Sequence, residues 1–544
     1  MEIEFMGTSM SLTWLLGWFT LGFVTLYTLY TALWTHSYWK RKGVPYEPAL
    51  PLIGNPIFTS GTKIPEIFEE WSRKYGKFYG TFSFSVPVIV VSDPEILRLV
   101  LVKSFNNFHN RVSFPQIPDE LQNMVSLAEG ERWKEIRNIL TPTFSGAKMK
   151  QMSSLVNASA DSLVKHIAIK QKDKGYIECQ DIFGAFVMDT VGSCAFGLDI
   201  DSQSDPKNPF VSNAKKAFQF DIWNPFFIIG SMIPALGRVF TYFRLGLFMG
   251  ADVVDFFKDV NKKAIALRQN ITSGSDSKRV DFLQLLLDAQ NQENINKVYK
   301  PEEEEDEDDI HADLDKHHDT QYHSRGIGKK KPLTDNEVLA QVLIFFTAGS
   351  ETTTTLLGFI AYSLATNPEV QEKLIQEIDK MTPSRDDVGY KSVATMSYLD
   401  QVVCETLRLY PPAAVANRMC NETFEHNGAV IEKGTQVFIP IYTIHHDPDY
   451  WPQPKKFIPE RFTKEARAKQ HPFAWQPFGA GPRNCIGMRF ALMETKMAVV
   501  RVLQNFRFET CAQTEVPPKF NITGFLTPPN GITLKAVPRA DKVA

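Results

Sequence analysis

Near the C-terminus the chain reads Phe478-Gly479-Ala480-Gly481-Pro482-Arg483-Asn484-Cys485-Ile486-Gly487, and a helical pattern runs on from Met488 to about Asn505. Glycine and proline make this stretch a loop. It sets one cysteine just ahead of a helix, where unpaired N–H groups and the helix dipole favour a thiolate. The glycines let the backbone pass close to something flat and bulky, and Arg483 offers a fixed cation to a nearby anion. A thiolate with no second Cys or His close by is a poor zinc site, but it suits a single axial bond to haem iron. The plainer alternative is a buried structural Cys in a turn, and the loop holds far more than that role requires.

A second stretch carries chemistry upstream. Thr334 and Glu337 form a capping-box pattern, and the apolar run behind them predicts one helix to about Thr366, stopped by Asn367-Pro368. At 1.5 Å per residue such a helix is about 50 Å long and must cross the core. Inside it stands Ala348-Gly349-Ser350-Glu351-Thr352. Ala348 and Gly349 leave room for a flat ligand or dioxygen, while Glu351 and Thr352 put an acid and a hydroxyl where protons could be relayed. The competing reading is a helix-packing notch with a hydroxyl bonded back to the preceding turn.

Three smaller constellations belong with these. Glu405 and Arg408 share a helical face, and Arg461, in Pro459-Glu460-Arg461-Phe462, supplies a second guanidinium for a buried structural triad. Trp133 and Arg137 lie four apart on one face, so an indole and a guanidinium can serve one carboxylate. Between 221 and 232, Trp223, Phe226, Phe227, Ile228 and Ile229 cluster around Pro225, either as core or as a segment dipping into a membrane surface.

The rest of the chain places these motifs. Residues 5–34 hold no charged side chain and are long enough to span a bilayer; Lys40-Arg41-Lys42 follows and sets the bulk of the protein on the cytosolic side. The expected divisions are an anchor at 1–39, a basic and Pro-rich hinge at 40–56, and a catalytic domain at 57–544. Residues 64–75 read as a helix, 78–91 as a small sheet, and Asp93-Pro94 as a helix start. The segment 296–331 reads as a disordered acidic insertion, with an Asp/Glu run at 302–309, then His311, His317, His318, His323 and Lys329-Lys330-Lys331; a weak metal site there is the lesser alternative. With a net charge of −3, nothing points to nucleic acid, and six scattered cysteines without CxxC pairs read as reduced thiols.

Taken together, the cysteine loop, the Ala348 to Thr352 motif, Glu405 with Arg408, the 459–462 segment and Trp133 with Arg137 resemble, in order, the microsomal cytochrome P-450 family of heme-thiolate monooxygenases. The wording of the loop is similar to xenobiotic-metabolising members of insects and their vertebrate drug-metabolising relatives. The resemblance implies a mainly α fold with small β-sheets, a triangular heme domain behind one N-terminal transmembrane helix. It implies Cys485 as the axial ligand of heme b, and Trp133, Arg137 and Arg483, with Arg418 and Arg111, as propionate contacts. Phe478, Gly487 and Ala348 would border the heme. Thr352 and Glu351 would move protons, and Glu405, Arg408 and Arg461 would brace the loop. It further implies an endoplasmic reticulum membrane location, electrons from NADPH through a flavin-containing cytochrome reductase, cytochrome b5 as a further partner, O2 as co-substrate and small lipophilic substrates. Lys134, Lys148, Lys150, Arg489 and Lys496 are the docking cations chosen by position. Cavity walls would come from Phe105, Phe108, Phe114, the 223–229 segment, Phe345, Phe346 and 412–416, with Phe525 and Leu526 as a lid. The alternatives are a reductase-independent isomerase or synthase acting on peroxides, which needs no Glu351–Thr352 relay, and a non-enzymatic heme sensor.

Overall fold

The structure is a computed structural model and describes residues 2–5, 8–51, 53–55, 64–113, 116–197, 200–205, 208–217, 224–247, 249–271, 281–288, 290, 331–426, 429–520 and 525–539. The acidic run, the four histidines, Lys329 and Lys330, Phe114 and Trp223 lie outside the described residues. Helices dominate, and the sheets are small, as expected. The longest helix, Asp335–Thr366, opens on the capping box: Thr334 accepts from the Glu337 N–H while the Glu337 carboxylate accepts from the Thr334 N–H at 2.9 Å. It is buried over most of its length, so its apolar composition marks a core helix. It packs on Cys179–Phe196, while Met488–Leu503 packs on Gly146–Lys174; this four-helix core carries both chemical motifs.

A four-stranded sheet lies to one side, in the order Phe78–Ser83, Val86–Val91, Gln436–Ile439, Ala416–Met419. Val88 pairs with Gln436 in parallel, and Arg418 faces Val437 in antiparallel register. A second sheet sets Thr533–Pro538 between Phe506–Glu509 and Ile177–Glu178. The helix after Asp93 forms as read, since the Asp93 side chain accepts from the N–H groups of Glu95 (2.9 Å) and Ile96 (3.2 Å).

At the N-terminal end a continuous helical stretch, Leu16–Lys42, is long and apolar enough to cross a membrane, and its side chains are largely exposed. It meets the domain at Trp39, which is buried, donates its indole N–H to Thr81 O at 2.9 Å and covers Gly80, where a Cβ would lie 2.4 Å from the ring. His36 also bonds Phe84 O at 3.1 Å. The Pro-rich strap beyond is stitched to the first strand: Glu47 N–H donates to Gly80 O (3.0 Å), Gly80 N–H to Pro45 O (2.8 Å), and Asn55 Oδ1 accepts from Thr81 and Phe82. The helices Pro225–Met232 and Pro234–Tyr242 expose Phe226, Ile229, Leu236 and Val239, with Tyr242 and Phe243 beyond them, while Phe227 is buried. Residues 224–232, the described part of the cluster, thus divide between core and surface.

Candidate active site

The cysteine loop is held by its own backbone. Cys485 N–H donates to Phe478 O at 2.8 Å, Asn484 N–H to Gly481 O at 3.0 Å and Gly479 N–H to Gln476 O at 3.0 Å. Gly481 has φ +73°, and a Cβ there would lie 2.0 Å from Leu101 O, so only glycine fits. Gly487 caps the Met488–Leu503 helix, which leaves Cys485 two residues short of the helix start. The thiol is solvent-accessible, yet burial raises its pKa, opposed by the Gly487 N–H and the charges of Arg137 and Arg111. A group can be both when it faces an internal hollow with protein on most sides.

The long helix shows the same sign. Ala348 is exposed in the middle of a core helix, Ile344, Phe345, Gly349, Glu351 and Thr352 are half-buried, and Phe346, Thr347 and Ser350 are buried. The open positions recur at helical spacing, so one stripe borders open space. Gly349 is a packing glycine: its added Cβ would touch Val191 at 3.4 Å. Thr352 Oγ1 donates to Ala348 O at 2.7 Å, the back-bonded geometry. Burial raises the Glu351 carboxyl, which has no hydrogen-bond partner among the described residues.

Four guanidiniums gather beside the loop. Arg137 donates to Asn484 O (2.9 Å) and Oδ1 (2.7 Å). Arg483 is buried over the Trp133 ring, 4.8 Å from its centroid, and donates to the carbonyls of His109, Ser126 (3.3 Å) and Ala128 (2.6 Å). Arg111 donates to Arg483 O at 3.3 Å, and Arg418 to Asn417 O at 2.8 Å. Burial, then repulsion from Arg111 and Arg418, pushes Arg483 down to about 8; burial and Arg111 push Arg418 down to about 9. Trp133 Nε1 and the Nε atoms of Arg418 and Arg483 are buried without a hydrogen-bond partner among the described residues. Crowded cations bonded to neutral carbonyls, with spare donors beside them, make a site for a dianion. A group with two carboxylates and a metal that takes a thiolate fits this donor set.

Glu405, Arg408 and Arg461 come together in the structure. Glu405 and Arg408 are fully buried and joined by two bonds, at 2.7 and 2.8 Å, with Arg461 Nε 3.4 Å from Glu405. Ile458 N–H donates to Glu405 at 2.9 Å, and Arg408 also reaches the carbonyls of His445 (2.9 Å), Pro454 (2.8 Å) and Lys456 (3.1 Å).

Other expectations need correction. Lys496 is fully buried and bonded to Asp400 at 2.9 Å, so it is no docking cation; it faces inward on a helix buried nearly all round. Lys134 pairs with Glu131 at 2.7 Å. Phe105 packs on Trp133, Phe108 on Phe424, and Phe346 on Phe210 and Phe257, all in the core. Half-buried Phe345 lies against Phe144 and Phe282. Phe525 does sit on the 412–416 segment, bridged to Ala413, with Leu526 N–H on Pro412 O at 2.9 Å. Three contributors escaped the sequence reading. Asn484 was visible inside the motif. Gln341, which bonds Val125 N–H (2.9 Å) and Asn123 O (2.7 Å), and His445, which joins Arg408 to Gln476, carry no local signal.

The cytochrome P450 family model matches residues 44–313 and 301–536. The chain belongs to the cytochrome P450 family. Among its relatives, cytochrome P450 3A5 of Homo sapiens is 39% identical over 526 residues, covering 96% of each chain. Cytochrome P450 3A9 of Rattus norvegicus is 38% identical over 532 residues, 98% of this chain and 97% of the relative. Cytochrome P450 3A29 of Sus scrofa is 38% identical over 534 residues, 98% of each. A P450 is an oxidoreductase of the monooxygenase class and holds heme through a cysteine thiolate.

Proposed function

We propose that this P450 inserts one oxygen atom from O2 into small lipophilic compounds, xenobiotics or endogenous lipids, using electrons from NADPH passed on by a membrane-bound cytochrome reductase. The observation that carries the reading is an accessible thiol on a rigid loop beside four guanidiniums whose bonds run to carbonyls and an asparagine. Cys485 would hold the iron through its thiolate, and Trp133, Arg137, Arg483, Arg418 and Arg111 would hold the two propionates. Phe478, Gly487 and Ala348 would border the ring. When bound, heme supplies oxygen activation, with the thiolate pushing electron density onto iron.

The protein's own part is placement, exclusion of water and proton movement. Thr352 presents its oxygen to the hollow while its hydrogen rests on Ala348 O. Rotation of the hydroxyl would turn its hydrogen from Ala348 O toward a group bound in the site, and Glu351, kept protonated to higher pH by burial, is the carboxyl proposed as the proton source. The apolar helix around them admits substrates that water solvates poorly. Lys148, Lys150 and Arg489 are the cations proposed to dock the reductase and cytochrome b5, at an endoplasmic reticulum membrane with the domain in the cytosol. The test of the ligand is direct. Reduced protein with carbon monoxide should show a Soret band far to the red of His-ligated heme, and Cys485→Ser should abolish it; an unchanged band in that variant refutes the assignment.

A further inference from the structure

His445 is fully buried between the brace and the cysteine loop. Its Nε2 accepts from the Gln476 backbone N–H at 2.8 Å. An amide N–H can only donate, so Nε2 carries no proton and the ring hydrogen is on Nδ1, directed to Arg408 O at 3.2 Å. The His445 carbonyl in turn accepts from Arg408 Nη1 at 2.9 Å. Burial, then the neighbouring His446 and Arg408, hold the ring neutral.

Gln476 is where the loop begins. Its carbonyl accepts from Gly479 N–H at 3.0 Å, and Phe478 O accepts from Cys485 N–H at 2.8 Å. Hydrogen bonds thus run from Glu405 through Arg408, the His445 ring and Gln476 to the turn that aims Cys485. The other side of the loop is fixed separately, by Arg137 on Asn484. Arg483 on the carbonyls of Ser126 and Ala128 holds that side too, so releasing Gln476 frees the near side of the loop, whose Phe478 carbonyl receives the Cys485 N–H.

We propose that His445 is a positioning residue that sets the direction of the Cys485 thiolate, through the single acceptor atom Nε2. This rests on the reading of Cys485 as axial ligand. Two substitutions separate the two ring nitrogens. His445→Gln places an amide oxygen near Nε2 and keeps an acceptor for Gln476. His445→Asn places an amide N–H near Nδ1 and keeps the bond to Arg408 O while losing the acceptor.

The full-length protein in each form is reduced, exposed to carbon monoxide and read in the Soret region, with heme content per chain measured beside it. The expected result is a Gln variant with the wild-type band and heme content. The Asn variant should lose most of the long-wavelength band, with heme affinity down about 10–100-fold, the scale of losing an outer-shell support. An Asn variant with the wild-type band, or a Gln variant as impaired as the Asn one, overturns the proposal. Failure of both variants to fold overturns it too, by assigning His445 to the fold alone. Absence of the red-shifted band in the wild type would instead overturn the axial-ligand reading.

Discussion

Gly481 and Gly487 sit six residues apart in the same loop, and the space around them separates their roles. A methyl at Gly481 meets Leu101 O and must also adopt a left-handed φ of +73°. A methyl at Gly487 meets Phe144 at 3.8 Å, an ordinary contact, at φ −88°. Gly481→Ala should therefore destabilise the fold by about 1–3 kcal/mol and lower heme retention, whereas Gly487→Ala should shift stability by under about 1 kcal/mol. Urea midpoints and heme content of the purified variants check this; equal costs would contradict it. Glu351 makes a pH-dependent prediction. Burial raises its folded pKa above the unfolded one, so its favourable contribution is full below the ordinary carboxylate range and is lost as pH rises through the folded value. The stability of wild type relative to Glu351→Gln should fall as pH rises through the range that starts at the ordinary Glu pKa of about 4.3. A flat difference in denaturation midpoint across that range would remove Glu351 from the titrating groups.

Among elements, the brace helix Ser397–Leu409 shows how a charge pair can serve geometry. Arg408 spends its fork on Glu405 and on three carbonyls from the segments leading to the cysteine loop. A lysine keeps the charge and loses the fork. Arg408→Lys should cost about 3–5 kcal/mol, near the cost of removing a partner from a buried pair, and should cut the yield of heme-loaded protein. Wild-type yield and urea midpoint in that variant would show that charge alone suffices. The brace was legible because both partners lie on one helix face three residues apart, and the long helix because its cap and its stop are local. The cysteine loop was legible because glycine, proline and cysteine each have few uses. What escaped depended on distant segments. Lys496 looks like a surface cation until Asp400, on another helix, is seen to hold it. Phe105, Phe108 and Phe346 are apolar in either a core or a cavity wall, and sequence cannot say which face meets open space. His445 acts through backbone atoms of Arg408 and Gln476, which leave no trace in residue type.

For the whole molecule, membrane contact is the property that no single element holds. Leu16–Lys42 is the candidate for the main attachment, and Phe226, Ile229, Leu236, Val239 and Phe243 are exposed apolar side chains on the domain itself. Removing residues 1–34 should release most of the protein from vesicles, and changing Phe226, Val239 and Phe243 to Asp in that truncated form should release the remainder. Flotation with neutral and anionic vesicles measures both; full retention after truncation would make the domain surface the dominant anchor. The attachment also has a mechanical side. Trp39 is seated on Gly80, His36 is bonded to Phe84, and the proline strap is stitched to the same strand. The end of the candidate spanning helix is therefore tied to the domain by side-chain packing and by hydrogen bonds. If Leu16–Lys42 spans a bilayer, a change in bilayer thickness that tilts it would turn the attached domain too, and lipid thickness would set the angle at which the side bearing Cys485 meets the membrane.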